Sequence, residues 1–200
     1  VSIDLYTYDS GKTLASVNQI LNKPEMKSMD VIFGPAHADQ VKPMAEFAEK
    51  NNTEEKPICF SICEWGLNQS WKWGSKAGNL WRTTPDIKPY WLSMIGIYEA
   101  NVRLYKYATI GGWNDPDMLE VGVGSLTMEE NKSHFTLWCM MAAPLILGND
   151  VRKFLKEDGS VDTDNKVLEI LTNKNLIAID QDKLGKQAKR IFTDGVSDIL

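Results

Sequence analysis

Short apolar runs that each stop abruptly at polar residues constrain this fold more than any other feature of the chain. Pro57-Ile58-Cys59-Phe60-Ser61-Ile62-Cys63 runs into Glu64-Trp65-Gly66, and Asn79-Leu80-Trp81 runs into Arg82-Thr83-Thr84-Pro85-Asp86-Ile87. A third polar stretch follows at Gly111-Gly112-Trp113-Asn114-Asp115-Pro116-Asp117-Met118-Leu119-Glu120. Helical patterns fill the intervals. Strands that deliver polar side chains at their far ends, with helices between them, describe the C-terminal face of a (β/α) barrel. The 111–120 stretch combines acids, an amide, a tryptophan and a thioether, and Pro116 stiffens the link between Asp115 and Asp117 by fixing φ. Carboxylates and amides beside flat rings are what sugar recognition requires: the polar groups take hydroxyls and the ring covers the apolar sugar face.

The first fifty residues read as β-α-β-α. Ser2–Tyr8 alternates apolar and polar positions like a strand. Residues 12–22 place Leu14, Val17, Ile20 and Leu21 on one helical face, and Pro24 ends that run. Met29–Phe33 is a short strand closed by Gly34-Pro35, and residues 38–50 form a second amphipathic helix through Val41, Met44, Ala45, Phe47 and Ala48. The polar stretch 51–56 is a loop. Beyond it, strands are expected at Ile58–Cys63, Leu80–Arg82, near Tyr107–Ile110 and at Leu145–Leu147. Helices are expected at Ile87–Leu104, Met128–Met141 and Asp164–Thr172. Thr127 and Glu130 have the spacing of a capping box for the second of these. About six strands result, short of the eight that close a barrel. The expectation is an open sheet with its exposed edge beside the strand near Ile58, or two loosely docked pieces.

Composition narrows the function classes. A net charge of −5 argues against nucleic acid, whose binding needs a basic footprint, and suits a neutral substrate. No apolar run approaches the roughly 20 residues of a membrane span. Seven tryptophans lean toward carbohydrate contact, although Trp91 and Trp138, on helical stretches, read as core packing. Cys59, Cys63 and Cys139 make no tidy disulfide set, since the first two lie too far apart along an extended strand. His37 and His134 belong to no ligand-spaced cluster, so neither a metal nor another cofactor is expected. Val1 opens the chain without Met, a basic stretch or an apolar signal core, which reads as a fragment or a processed form.

The motifs ICEWG, WRTTPDI and GGWNDPDMLEVG, in this order, resemble the α-galactosidases of glycoside hydrolase family 27. The resemblance continues through HFTLW at 134–138, APLILGND at 143–150 and IDQDKLG at 179–185, covering about residues 54–192. It implies an α/β fold of (β/α)8 TIM-barrel type, of which this chain carries the C-terminal half, preceded by the β-α-β-α segment. The implied parts are 1–52, of different origin; 53–188, the half-barrel; and 189–200, the start of a β-rich domain. The phrase Met29-Asp30-Val31-Ile32-Phe33-Gly34-Pro35 and the helix after it are similar to a type I periplasmic binding-protein segment. A secreted or periplasmic location would follow from the family resemblance.

Retaining glycosidases need two carboxyl groups roughly 5 Å apart, a nucleophile and an acid/base. The resemblance places the acid/base at Asp86; that residue also reads as the N-cap of a helix starting at Ile87. Arg82 would grip a sugar hydroxyl, Glu64 would meet the 2-hydroxyl and favour galactose, Trp65 and Trp113 would be pocket walls, and Asp117 and Met118 would line the pocket. The position of Cys63 usually bridges to a cysteine following the nucleophile in this family, and no partner precedes it here. The nucleophile motif itself is absent from residues 1–57. The reading is therefore a retaining hydrolase of terminal α-galactosides, acting on a galactose-containing oligosaccharide or glycoconjugate and impaired as this chain. The alternatives are a non-catalytic carbohydrate- or solute-binding protein, and an artefactual fusion of two gene fragments.

Overall fold

The structure, a computed structural model, describes residues 4–35, 37–52, 57–195 and 197–200. Its centre is a four-stranded parallel sheet in chain order: β1 (Val31–Phe33), β2 (Cys59–Ile62), β3 (Leu80–Arg82) and β4 (Trp113–Asp115). Register is continuous across it, with Val31 opposite Cys59, Ser61 opposite Leu80 and Arg82 opposite Asp115. Two helices precede β2, α1 (Leu14–Leu21) and α2 (Ala38–Asn51). α3 (Trp91–Asn101) joins β3 to β4, and α4 (Met128–Met140), α5 (Lys166–Leu171) and α6 (Lys174–Asp180) follow. An antiparallel pair, β5 (Phe192–Thr193) and β6 (Asp198–Ile199), ends the chain.

Side chains alternate across the sheet. One face carries Ile32, Phe60, Ile62 and Trp81, which pack against Val17 and Leu21 of α1 and Val41, Met44 and Ala48 of α2. Pro43 sits inside α2 and withholds one backbone donor from it. The burial of Val41 and Met44 on either side keeps the helix intact. The Trp81 indole donates to Asn114 Oδ1 at 2.8 Å, so a buried polar pair extends this face to β4. A second core joins α3, α4 and α5 through Met94, Tyr98, Phe135, Trp138, Cys139 and Ile170, with Leu119 and Val121 completely buried among them. Arg190 clamps the terminal β pair to α3 by bonding Glu99 at 2.6 Å and Asp198 at 2.8 Å.

Several sequence expectations need correction. The strand expected at Ser2–Tyr8 falls partly on residues 1–3, outside the described residues, and 4–8 are irregular, with Leu5 84 % exposed. Among the described residues, 4–8 pair with no strand, and pairing rather than pattern makes a strand. The strand near Tyr107–Ile110 lies instead at Trp113–Asp115. Residues 102–107 form a 3₁₀ turn, and Thr109 and Gly112 exchange backbone hydrogen bonds around Gly111, whose φ is +80°. Leu145–Leu147 contributes a single parallel bridge, Leu147 to Leu119, in place of a strand. The open edge is β1, not the strand near Ile58, because Cys59 N donates to Asp30 O and Gly34 N to Ser61 O. The helix foreseen from Ile87 starts at Trp91, behind Pro89, so Asp86 is not its N-cap. The capping box is present, with Thr127 and Glu130 bonded reciprocally.

Candidate active site

The C-terminal ends of β2, β3 and β4 bring polar side chains together. Arg82, the last residue of β3, is buried, and its Nη2 donates to Asp117 Oδ2 at 2.8 Å, to Thr84 O at 3.1 Å and to Asp86 Oδ1 at 3.2 Å. Its Nη1 lies 4.0 Å from Cys63 Sγ, at the end of β2. Arg82 is thus no surface salt bridge but a cation enclosed by strand ends. Its Nε is buried without a hydrogen-bond partner among the described residues.

Asp117 is the organiser. Its φ of +92° turns the chain sharply after Pro116, and the turn is held by the Asp117 amide donating to Asp115 Oδ1 at 2.9 Å. Oδ2 accepts from Arg82 and from Ile87 N, both at 2.8 Å, and Oδ1 accepts from Met118 N at 2.8 Å. The Trp138 indole donates to Asp117 O at 2.8 Å. Trp138 is therefore core, as its helical position suggests, and a support of this turn as well. Asp117 ties β4 to the loop that carries Asp86, and only Asp86 is left open: 56 % of its side chain is exposed.

Glu64 is 2 % exposed, and its carboxylate accepts from Asn68 N at 2.7 Å, Asn68 Nδ2 at 3.2 Å and Ser70 N at 3.1 Å. The Ser70 hydroxyl in turn donates to Arg82 O at 2.9 Å, which fastens this loop to β3. Trp65 has φ +58° and stands partly exposed on the same loop. Gly66 follows at φ +74°, and a Cβ there would lie 2.3 Å from Thr83 O, so the loop closes on β3 only with glycine. Met118 is partly exposed beside Asp117. Trp113 begins β4, two residues before the polar end. Gly185 packs on its ring, and it lines a separate cavity of about 200 Å³ with Leu80, Pro144 and Asp180. Arg82, Asp86 and Asp117 thus meet directly, Glu64, Trp65 and Met118 flank them, and Trp113 lies at the other end of its strand.

Asp115 was not singled out by the sequence, although its spacing from Asp117 is that of a side chain capping its own turn. Burial pushes its carboxyl up to about 6, eased by the Asp117 amide and the Arg82 charge. Burial also raises the Cys63 thiol. His134 is fully buried, accepts from Glu120 N at 2.9 Å, and is held neutral by burial, its value lowered to about 4. All three cysteines are free thiols. Among the described residues, no group of three or more His, Cys, Asp or Glu could hold a metal ion. Among those residues, too, no helix is long and apolar enough to cross a membrane.

The family model described as alpha galactosidase A matches residues 4–182 of this chain. The chain belongs to that family. The match takes in most of residues 1–52 as well as the polar strand ends. Alpha-galactosidase 3 of Arabidopsis thaliana is 44 % identical over 147 residues, covering 74 % of this chain and 32 % of the relative. Among solved structures, alpha-galactosidase I from Mortierella vinacea superposes with a TM-score of 0.70 at 32 % identity, covering 80 % of this chain and 42 % of that one. The Saccharomyces cerevisiae alpha-galactosidase with raffinose gives 0.68 at 29 % identity, covering 80 % and 38 %. These likenesses support a glycoside hydrolase of TIM-barrel type. The chain spans about a third of the length of the curated relatives it matches.

Proposed function

We propose that this chain is the acid/base-bearing part of an α-galactosidase-type retaining glycoside hydrolase that acts on terminal α-D-galactosides. The observation that carries this reading is the cluster of Arg82, Asp86 and Asp117 at the strand ends, with Asp86 alone exposed. Asp86 donates its proton to the leaving glycosidic oxygen, and it sits on a short loop between β3 and α3, where barrel enzymes keep their chemistry. Arg82 is an always-charged fork that hydrogen-bonds a sugar hydroxyl, held in place by Asp117. Glu64, which the family resemblance places at the 2-hydroxyl, is 2 % exposed with its carboxylate engaged by Asn68 and Ser70, so it braces the loop that carries Trp65 and does not reach a substrate. Trp65 and Met118 form the apolar rim, whereas Trp113, at the other end of β4 and lining a different cavity, is not one of its walls.

The sheet is read as the C-terminal half of a barrel at 53–188, preceded by a segment of different origin at 1–52 and followed at 189–200 by the start of a β-rich domain. The end of β1 carries Gly34-Pro35 in place of a carboxylate, so hydrolysis by this chain alone is impaired. Galactose binding by the remaining half-pocket, followed by NMR, tests recognition: binding weakened by Arg82→Lys and not shared by glucose is expected, and equal binding of both sugars would remove the reading. A mechanism-based galactosyl inactivator tests the chemistry. No stoichiometric covalent label is expected, and a labelled carboxylate would disclose a nucleophile within this chain.

A further inference from the structure

The galactoside reading leaves the base of the sheet unused. The cavity of about 200 Å³ lies there, at the ends of β3 and β4 where Leu80 and Trp113 open the two strands. Ala143, Pro144 and Leu145, in the stretch after α4, form its apolar wall, and residues 180–182 close it with Asp, Gln and Asp. Those three belong to the run Ile179-Asp180-Gln181-Asp182-Lys183-Leu184-Gly185, which takes no part in the polar strand ends.

Asp180, the last residue of α6, is 8 % exposed, and its Oδ2 accepts from Gln181 Nε2 at 2.5 Å. Its Oδ1 is buried without a hydrogen-bond partner among the described residues. A buried carboxylate keeps its charge only beside a cation or several donors. With one amide beside it, burial pushes this carboxyl up to about 6. Among the described residues no basic side chain lines the cavity, and the Cys139 thiol on α4 is held neutral by burial, raised to about 12. α4 ends at Met140 and α6 at Asp180, so two helix C-termini, the negative ends of their dipoles, border the cavity. A metal ion would find too few ligands here, since no group of three or more His, Cys, Asp or Glu among the described residues could hold one. An organic cation finds an acid for its N–H groups, apolar walls for its carbon and an indole ring for its charge. The volume lies below the roughly 300–1,000 Å³ of drug-sized sites, which limits the ligand to a small one.

We propose that this cavity binds a small primary ammonium with a short apolar body, its nitrogen donating to Asp180 and its carbon lying against Trp113 and Leu145. Rotation about χ2 of Asp180 brings either carboxylate oxygen to the ligand while Gln181 keeps the other. The site lies at the opposite end of the strands from Asp86, so it stands or falls separately from the galactoside reading.

The probe is benzylammonium, titrated by NMR into the isotope-labelled 200-residue chain at constant ionic strength, with benzyl alcohol as its neutral counterpart. Saturable shifts of the Trp113 indole and of the Ala143 and Leu145 amides are expected, with a Kd on the order of 1 mM for a ligand of this size. Benzyl alcohol should bind at least ~10-fold more weakly, because it cannot make the charge-assisted hydrogen bond. Asp180→Asn should remove that preference and leave both probes equally weak. Should the variant fail to fold, the comparison of the two probes on the unaltered chain decides by itself. Galactose added to the same sample should leave the benzylammonium shifts unchanged. Equal affinity for ammonium and alcohol, displacement by galactose, shifts centred on Trp65 and Arg82, or no saturable shift by about 20 mM would each overturn the proposal.

Discussion

The ends of β3 and β4 and the edge at β1 belong to one sheet and are built on opposite plans. At β3 and β4 a buried arginine, two buried aspartates, two backbone amides and an indole lock one another, so that each loop has a single arrangement. At β1 the sheet is held by ladder hydrogen bonds and by the apolar packing of α1 and α2, while Val31 and Phe33 on the other face are 45 % and 64 % exposed. Parallel sheets are normally covered on both faces. The contrast shows where this chain has invested in specificity: apolar packing is enough to place a strand, whereas aiming a carboxylate takes a network of directional hydrogen bonds.

The largest effect should come from breaking that network. Asp117→Ala strips the partner from a buried arginine and frees the Ile87 amide, and should cost ~3–5 kcal/mol in urea unfolding. A loss below about 1 kcal/mol would mean that water reaches Arg82 freely and the network is not a locked one.

Matched truncations in the two cores come next. Met94→Ala and Met44→Ala each empty a buried site and should cost ~2–5 kcal/mol. Both should shift one common transition seen by circular dichroism and tryptophan fluorescence. A separate early transition in Met44→Ala would show that residues 1–52 dock loosely, contrary to the continuous register from β1 to β2.

A pH experiment sharpens the comparison further. Asp115 binds its proton more tightly in the folded chain, at about 6 against 3.8 for a free aspartate, because of burial. Its contribution to stability therefore declines as pH rises through that interval and stays lost above it. Asp115→Asn removes the term, so its stability relative to wild type should improve from pH 4 to 6, by ~1–3 kcal/mol, and level off by about pH 7. His134 works in the opposite direction, being held neutral down to about 4, but it is common to both proteins and cancels in the difference. A gap independent of pH would show that Asp115 ionises normally.

The smallest effect belongs to the open edge. Phe33→Ser should change stability by no more than about 0.5 kcal/mol, because the side chain has little to lose. A larger loss would mean that this face is covered in solution.

Much of this was legible beforehand, and the particular residues show why. β3 was read at its observed limits, since an apolar pair between Asn79 and an Arg-Thr-Thr-Pro stretch admits little else. The helix at Met128 was announced by Thr127 and Glu130, whose capping is a local interaction of three residues. Asp86 was placed from a motif and lies on a strand-end loop that puts it beside Arg82. β4 was misplaced because Gly112, Asn114 and Asp115 have poor strand propensity. What recruits them is the Trp81 indole and the β3 backbone, partners more than thirty residues away in the chain. Asp115 was passed over for a similar reason, since its carboxyl matters through a turn completed by Arg82 and Trp138.

The sequence by itself determined the family, the parallel α/β plan, most helices and the residue types of the polar site, because periodicity, caps and motifs are local and survive in a linear reading. Only the tertiary structure decided which aspartate stays exposed and which are spent on Arg82 and backbone amides, where β4 begins, and that β1 rather than β2 is the open edge. Each of those outcomes depends on a hydrogen bond or a buried contact between distant segments, and distance along the chain carries no information about which buried donor finds which acceptor.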